Sequence, residues 1–229
     1  MLASANRVEN GRIALRVIIL SWEYPPHVIG EMAWYVRELA RRLRKGGVEV
    51  YVLTYTPLEE RVDLDDGVVV ERVKPPISIT TNIVVWSLLF TTRLQIAAAD
   101  LIYNLGSVDV VDAHEWITVD AALALKDRFE IPFVYTIHSL EKHRSANSAA
   151  PLNIAIESVE ELGCREADCI VVNSEWMKHE VTSKVGGVGG KIRVVEPYTE
   201  RWLEGVLEAY RSVRKDEFKG GYAYLGVST

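Results

Sequence analysis

Three short segments of this 229-residue chain concentrate groups suited to handling sugars. Residues 21–30, SWEYPPHVIG, carry Glu23, Tyr24 and His27 and lead into Gly30 and Glu31. Residues 112–116, DAHEW, carry His114, Glu115 and Trp116, and residues 136–141, TIHSLE, carry His138 and Glu141. Aromatic rings stack on the apolar faces of sugars, and imidazoles and carboxylates hydrogen-bond hydroxyls. Taken singly, each residue also has a plain structural reading: a histidine at a strand end caps or faces solvent, and a helical tryptophan such as Trp34 or Trp86 belongs to a core. Their convergence is the signal. Pro25-Pro26 predicts an extended loop that presents Glu23, Tyr24 and His27 with little ordering entropy left to lose.

Convergence follows from the elements that hold the segments. Residues 13–20 are a nearly continuous branched apolar run, as a central parallel strand covered on both faces requires. In residues 31–45 Met32, Val36, Leu39, Ala40 and Leu43 recur at helical steps, and Gly46-Gly47 ends the helix. Strands at 48–54, 67–73, 108–114, 132–138, 169–172 and 191–195 alternate with helices at 82–104, 117–128, 153–167 and one N-capped by Ser174. A last helix at 199–213 turns Trp202, Val206, Leu207 and Tyr210 to one side. The fold class is therefore α/β, a doubly wound, Rossmann-like parallel sheet with a C-terminal helix packing back on it. Such sheets bind ligands at the carboxyl ends of strands, where all three segments fall.

With 48% hydrophobic and 25% charged residues the chain has an ordinary globular composition, and a net charge of -6 argues against a nucleic-acid partner. Arg37, Arg41, Arg42, Arg44 and Lys45 cluster on one helix and predict a solvated face. Cys164 and Cys169 lack metal-ligand spacing and predict reduced thiols; no metal site is expected. Residues 81–105 are apolar but contain Arg93, Gln95 and Asp100, which predicts a sheet-covering helix and no membrane span. The first twelve residues carry no secretory pattern, so a cytoplasmic protein is expected. The expected organisation is an extension at 1–12, the main domain at 13–198, the terminal helix at 199–214 and a loose tail at 215–229.

SWEYPPHVIG followed by a helix ending in ELARRLRKGGVEVYVLT resembles the start of archaeal-type glycogen synthases and related GT-B glycosyltransferases. Residues 112–116 resemble that family's H-A-H-D-W segment, residues 131–141 (IPFVYTIHSLE) its I-P-x-V-x-T-I-H-S-L-E segment, and residues 167–181 (ADCIVVNSEWMKHEV) its A-D-x-V-I-x-x-S segment. The resemblance spans about residues 15–195 and implies an amino-terminal domain that holds a glucan acceptor, while a second domain holds most of a nucleotide sugar such as ADP-glucose or UDP-glucose. It further implies that His138 approaches the transferred sugar as the catalytic group. Glu23, Tyr24, His27, His114, Glu115, Trp116 and Glu141 would line the acceptor side, and Gly30 and Glu31 the donor-side loop. No other cofactor is implied.

Two departures qualify the expected activity. Glu31 stands where the family places a second glycine, and a carboxylate there repels a diphosphate at a helix start. After Val195 the chain reads Glu196-Pro197-Tyr198 and then the terminal helix, where the family shows a hinge into its donor domain. The expectation is a glucosyl-transferring acceptor domain with little activity alone, completed by a donor-domain partner chain or a homodimer. A non-catalytic carbohydrate-binding or regulatory module is the alternative. No G-x-G-x-x-G follows the first strand, which disfavours a nucleotide-binding enzyme of another class.

Overall fold

The structure, a computed structural model, describes residues 8–9, 12–13, 15–78 and 82–215. Short strands β1 (Val8–Glu9) and β2 (Arg12–Ile13) pair antiparallel within the expected extension. The main domain then runs β3 (Arg16–Ser21), α1 (Glu31–Lys45), β4 (Glu49–Tyr55), β5 (Arg61–Asp65), β6 (Val68–Val73), α2 (Ile83–Leu105), β7 (Val110–His114) and α3 (Val119–Phe129). It continues through β8 (Phe133–Ile137), α4 (Glu141–Arg144), α5 (Pro151–Glu166), β9 (Cys169–Val172), α6 (Glu175–Lys184), β10 (Ile192–Val194) and α7 (Trp202–Val213). Beyond Lys215, the expected loose tail lies outside the described residues.

Strands β3 to β10 form one eight-stranded sheet in the order β10-β9-β8-β7-β3-β4-β6-β5. Every pairing is parallel except that of the edge strand β5 with β6. Successive side chains alternate between faces. Val17, Ile19, Val110, Val134 and Val171 pack with α1 and α7, whereas Ile18, Leu20, Val111, Ala113, Phe133 and Tyr135 pack with α2, α3 and α5. Buried on both sides, the central strands read as continuous apolar runs.

Helix α5 approaches the sheet closely because Gly163 has no side chain. A Cβ there would lie 2.8 Å from Val119 Cγ2 and 2.9 Å from Tyr135 Cε1, and both neighbours are buried. Overpacking at Gly163→Ala costs about 1–3 kcal/mol against the roughly 1 kcal/mol that alanine gains in helix propensity, so a net destabilisation of up to about 2 kcal/mol is expected. Urea unfolding with an unchanged slope would measure it. An unaltered or raised midpoint would show that α5 can move aside.

Several expectations change. Strand β3 starts at Arg16, and Ile13 belongs to the β1–β2 pair. Helix α5 starts at Pro151 and buries Ile156, Glu160, Gly163 and Cys164, leaving Ile154 and Leu162 exposed. Trp86 is in the core, but Trp34 is 51% exposed. The arginines of α1 are not simply solvated: Arg37 pairs with Asp65, Arg41 with Asp66, and Arg44 donates to the Gly67 carbonyl, clamping the β5–β6 hairpin. Arg42 pairs with Glu38 and lies over the Trp202 ring. Helix α2 is long and apolar enough to cross a membrane by length and composition, yet it buries Trp86, Phe90, Leu94, Ala98 and Ile102. Both cysteines are buried free thiols, and Ser174 caps α6 by accepting from the Met177 N–H at 3.2 Å.

Candidate functional site

Strand order reverses between the parallel neighbours β3 and β7, since β3 leads to β4 on one side and β7 to β8 on the other. A crevice opens at such a switch point beyond the strands' carboxyl ends. The loop after β3, the end of β7 and the turn after β8 meet it, and strand parity sorts their polar side chains onto opposite faces of the sheet.

On the face shared with α1 and α7 stand Asp112, His114, Thr136 and His138. Thr136 Oγ1 donates to Asp112 Oδ1 at 2.7 Å, and Tyr210 of α7 donates its hydroxyl to Asp112 Oδ2 at 2.6 Å. The same Oδ2 meets His114 Nε2 at 3.2 Å, and His114 Nδ1 meets His138 Nε2 at 2.9 Å. An Asp–His–His chain results, with Asp112 and His114 withdrawn from water. Burial opposes ionisation of Asp112, but His114, Tyr210 and Thr136 together hold its carboxyl below the ordinary range. Burial is also the main reason that the His138 pKa falls from 6.5 to about 3, with His114 pushing the same way and Asp112 opposing. The Tyr35 ring stands edge-on to His138 at 4.6 Å between centroids, and its hydroxyl accepts from Trp202 Nε1 at 3.2 Å.

Glu115, one residue out of phase, turns the other way. Its backbone takes a positive φ of 66°, an unusual conformation for a non-glycine residue. Oε1 accepts from the backbone N–H groups of His138 at 2.7 Å and Ser139 at 2.8 Å, while Oε2 takes Arg144 Nη1 at 2.8 Å. Arg144 also reaches Glu141 at 3.0 Å and Glu160 at 2.9 Å, so one guanidinium serves three buried carboxylates. Lys184 Nζ adds a contact of 3.0 Å to Glu160. Burial pushes the Glu115 pKa up despite Arg144 and the two backbone N–H groups.

The loop after β3 is a tight turn, not the extended segment expected from its prolines. Tyr24 and His27 exchange backbone hydrogen bonds of 3.2 and 3.0 Å around Pro25-Pro26. Tyr24 is buried, donates to Asp65 at 2.8 Å and lies under the Arg72 guanidinium. The His27 ring packs against Tyr55, 4.9 Å between centroids. Glu23 folds back so that Oε2 accepts the N–H groups of Ile29 at 2.8 Å and Gly30 at 2.6 Å. Glu31, the first residue of α1, is exposed.

The structure thus brings His114, His138 and Glu115 together, and links Glu141 to them through Arg144. Trp116 is half-buried in the helical turn after β7, whereas Trp176 is exposed over His143. Tyr24, expected on an open surface, is a buttress. Among the described residues no group of His, Cys, Asp or Glu is placed to hold a metal ion. Sequence reasoning missed Asp112, Tyr35, Arg144, Glu160 and Tyr210 as parts of the site. Asp112 was the findable one, as the last carboxylate in an otherwise apolar strand.

Comparison with known proteins gives this geometry a context. Residues 32–198 match the family model described as Glycosyltransferase Family 4. The chain belongs to that family. A glycogen synthase from Mycobacterium tuberculosis is 29% identical over 197 residues, covering 79% of this chain and 47% of the relative. A D-inositol 3-phosphate glycosyltransferase from Kribbella flavida is 30% identical over 175 residues, covering 73% of this chain and 41% of the relative. The solved sucrose-phosphate synthase from Thermosynechococcus elongatus superposes with a TM-score of 0.63 at 18% identity, over 80% of this chain and 48% of that one. This family 4 chain shares the Rossmann-like GT-B fold and spans about half the length of the curated relatives it matches.

Proposed function

We propose that the chain is the acceptor-side domain of a nucleotide-sugar-dependent glucosyltransferase acting on an α-glucan, with ADP-glucose or UDP-glucose as donor. The observation that carries this reading is His138 at the switch point, its ring held by the Asp112–His114 chain and its backbone by Glu115, in a family 4 chain. His138 is the group assigned to the transferred sugar, and Trp116 supplies a half-buried ring for the acceptor. The reading places the protein in the cytosol.

Departure of a nucleoside diphosphate needs cationic or N–H groups at the developing negative charge. Here Glu23 already takes the Ile29 and Gly30 N–H groups, and Arg37, Arg41, Arg42 and Arg44 of α1 are each engaged elsewhere. Transfer would therefore require groups from a donor domain outside the described residues. Glu23, engaged in this way, and Glu31 in the first turn of α1 favour the second reading, a carbohydrate-binding module that does not transfer sugar.

Incubation with radiolabelled nucleotide sugar and glycogen tests both. The chain alone is expected to bind glycogen or maltooligosaccharides while transferring little label. Loss of a stacking contact in Trp116→Ala should weaken binding about 2- to 13-fold, from about 0.5–1.5 kcal/mol. Rapid transfer by the chain alone would show that no further groups are needed, and failure to bind any glucan would sink both readings.

A further inference from the structure

Tyr198 has no part in the function proposed for the chain, yet it ends a ladder of rings that begins at His138. We propose that its ring, with the Glu31 carboxylate, forms a sugar-contacting subsite beside the crevice that takes a neutral pyranose of the acceptor. The subsite rests on the glucan binding proposed for the chain, and its test separates the two.

Tyr198 lies in the turn between β10 and α7, where its φ of 63° falls in the left-handed region that glycine adopts freely and a bulky residue rarely does. Residues held in such conformations gather at ligand sites. The side chain is 58% exposed, and its neighbours fix the ring. Trp202, fully buried, meets it at 4.8 Å between centroids and Tyr35 at 6.3 Å, with interplanar angles of 59° and 74°. Neither ring lies flat on Tyr198, so an aromatic face stays open, and the support leaves little ordering entropy for a ligand to overcome. Tyr35 also stands 4.6 Å from the His138 ring, so one side chain backs both. Glu31 and Glu38 lie one turn to either side of Tyr35, which puts both carboxylates on the α1 face that Tyr35 presents to Tyr198. Burial raises the Tyr198 pKa first, and Glu31 and Glu38 raise it further against Arg42. Arg42 is engaged with Glu38 and the Trp202 ring, whereas Glu31 is exposed. Negative charge here disfavours a phosphate, and a carboxylate beside the ring disfavours dry apolar packing. A pyranose suits both groups, with its C–H face on the ring and a hydroxyl donating to Glu31.

Maltoheptaose titration of the full chain, followed by NMR, tests this. In the wild type, nuclear Overhauser contacts between the Tyr198 ring protons and sugar C–H protons are expected, which a merely structural tyrosine does not give. Tyr198→Asn, chosen because asparagine tolerates a positive φ, should weaken binding about 2- to 13-fold, the range of a stacking contact. Tyr198→Phe keeps the ring and should bind like the wild type. Glu31→Gln should weaken binding about 5-fold, as a charge-assisted hydrogen bond becomes a neutral one. Bound maltoheptaose without contacts to the Tyr198 ring, or equal binding by wild type and Tyr198→Asn, overturns the subsite; weakened binding in Trp116→Ala then leaves the acceptor reading standing. Equal loss in the Asn and Phe variants also overturns it, and unchanged binding by Glu31→Gln overturns the carboxylate's part. If Tyr198→Asn does not fold, the wild-type contacts and Glu31→Gln still decide. Absence of maltoheptaose binding by the wild type overturns the acceptor reading and the subsite together.

Discussion

Arg144→Met is expected to destabilise the chain by about 3 kcal/mol at pH 8, the lower end of what breaking a buried ion pair costs, because part of the guanidinium remains solvated. Glu115, Glu141 and Glu160 are 7%, 6% and 1% exposed, and all three pair with this one side chain. Methionine fills similar space without charge, so the loss reports unpaired carboxylates. Lys184 remains on Glu160, which limits the damage there. The effect must also depend on pH. Burial places the Glu115 pKa above its ordinary value of 4.5, so its contribution to stability is full below that value and is lost as pH rises through the raised one. Removing the cation raises it further, so acidification from pH 8 to 5 should narrow the gap between variant and wild type. Chemical unfolding at both pH values measures it. A gap below about 1 kcal/mol at pH 8, typical of surface pairs, would show that the cluster is solvated.

This cluster also explains where sequence reasoning stopped. The expected helix at 153–167 forms, and of its apolar residues Ile156 is buried while Ile154 and Leu162 stay exposed, because α5 also turns Glu160 and Gly163 inward to meet Arg144 and Tyr135. A periodicity rule that counts apolar residues cannot see a face made of an ion pair and a close approach. The edge strand β5, RVDLD, was missed for a related reason: Asp63 and Asp65 pair with Arg72 and Arg37, while Val62 and Leu64 stay exposed. Its alternation is ionic on one side and open on the other.

By contrast, the sheet was legible because buried parallel strands are apolar on both faces, and VIIL and FVYTI have few other uses. Candidate residues were legible as a group, since topology alone brings the ends of β3, β7 and β8 to one rim. Their individual roles were not. Glu115 and His138 follow strands of similar pattern, yet one residue of phase sends the Glu115 carboxylate to Arg144 and the His138 ring to His114. Tyr24 could not be separated from its neighbours without the β5–β6 hairpin that buries it.

His138 should make the chain acid-sensitive well above the pH at which carboxylates protonate. Its pKa falls from 6.5 to about 3, chiefly by burial and secondarily through His114, so the unfolded chain binds a proton that the folded one excludes. The sign follows: its contribution is complete above pH 6.5 and declines as pH falls toward about 3. Within that window the slope approaches about 1.4 kcal/mol per pH unit. Asp112, held below its usual 3.8, adds its own loss only at lower pH, and Glu115 acts in the opposite sense near 4.5. Comparing wild type with His138→Gln cancels both carboxylate contributions, and glutamine preserves a polar partner for His114. Between pH 6.5 and 4.5 the wild type should lose about 2 kcal/mol more than the variant, since the partly exposed ring feels less than the full slope. Parallel stability curves would mean that the His138 ring takes its proton in the folded chain as readily as in the unfolded one, and the closed Asp112–His114–His138 chain would have to open near neutral pH.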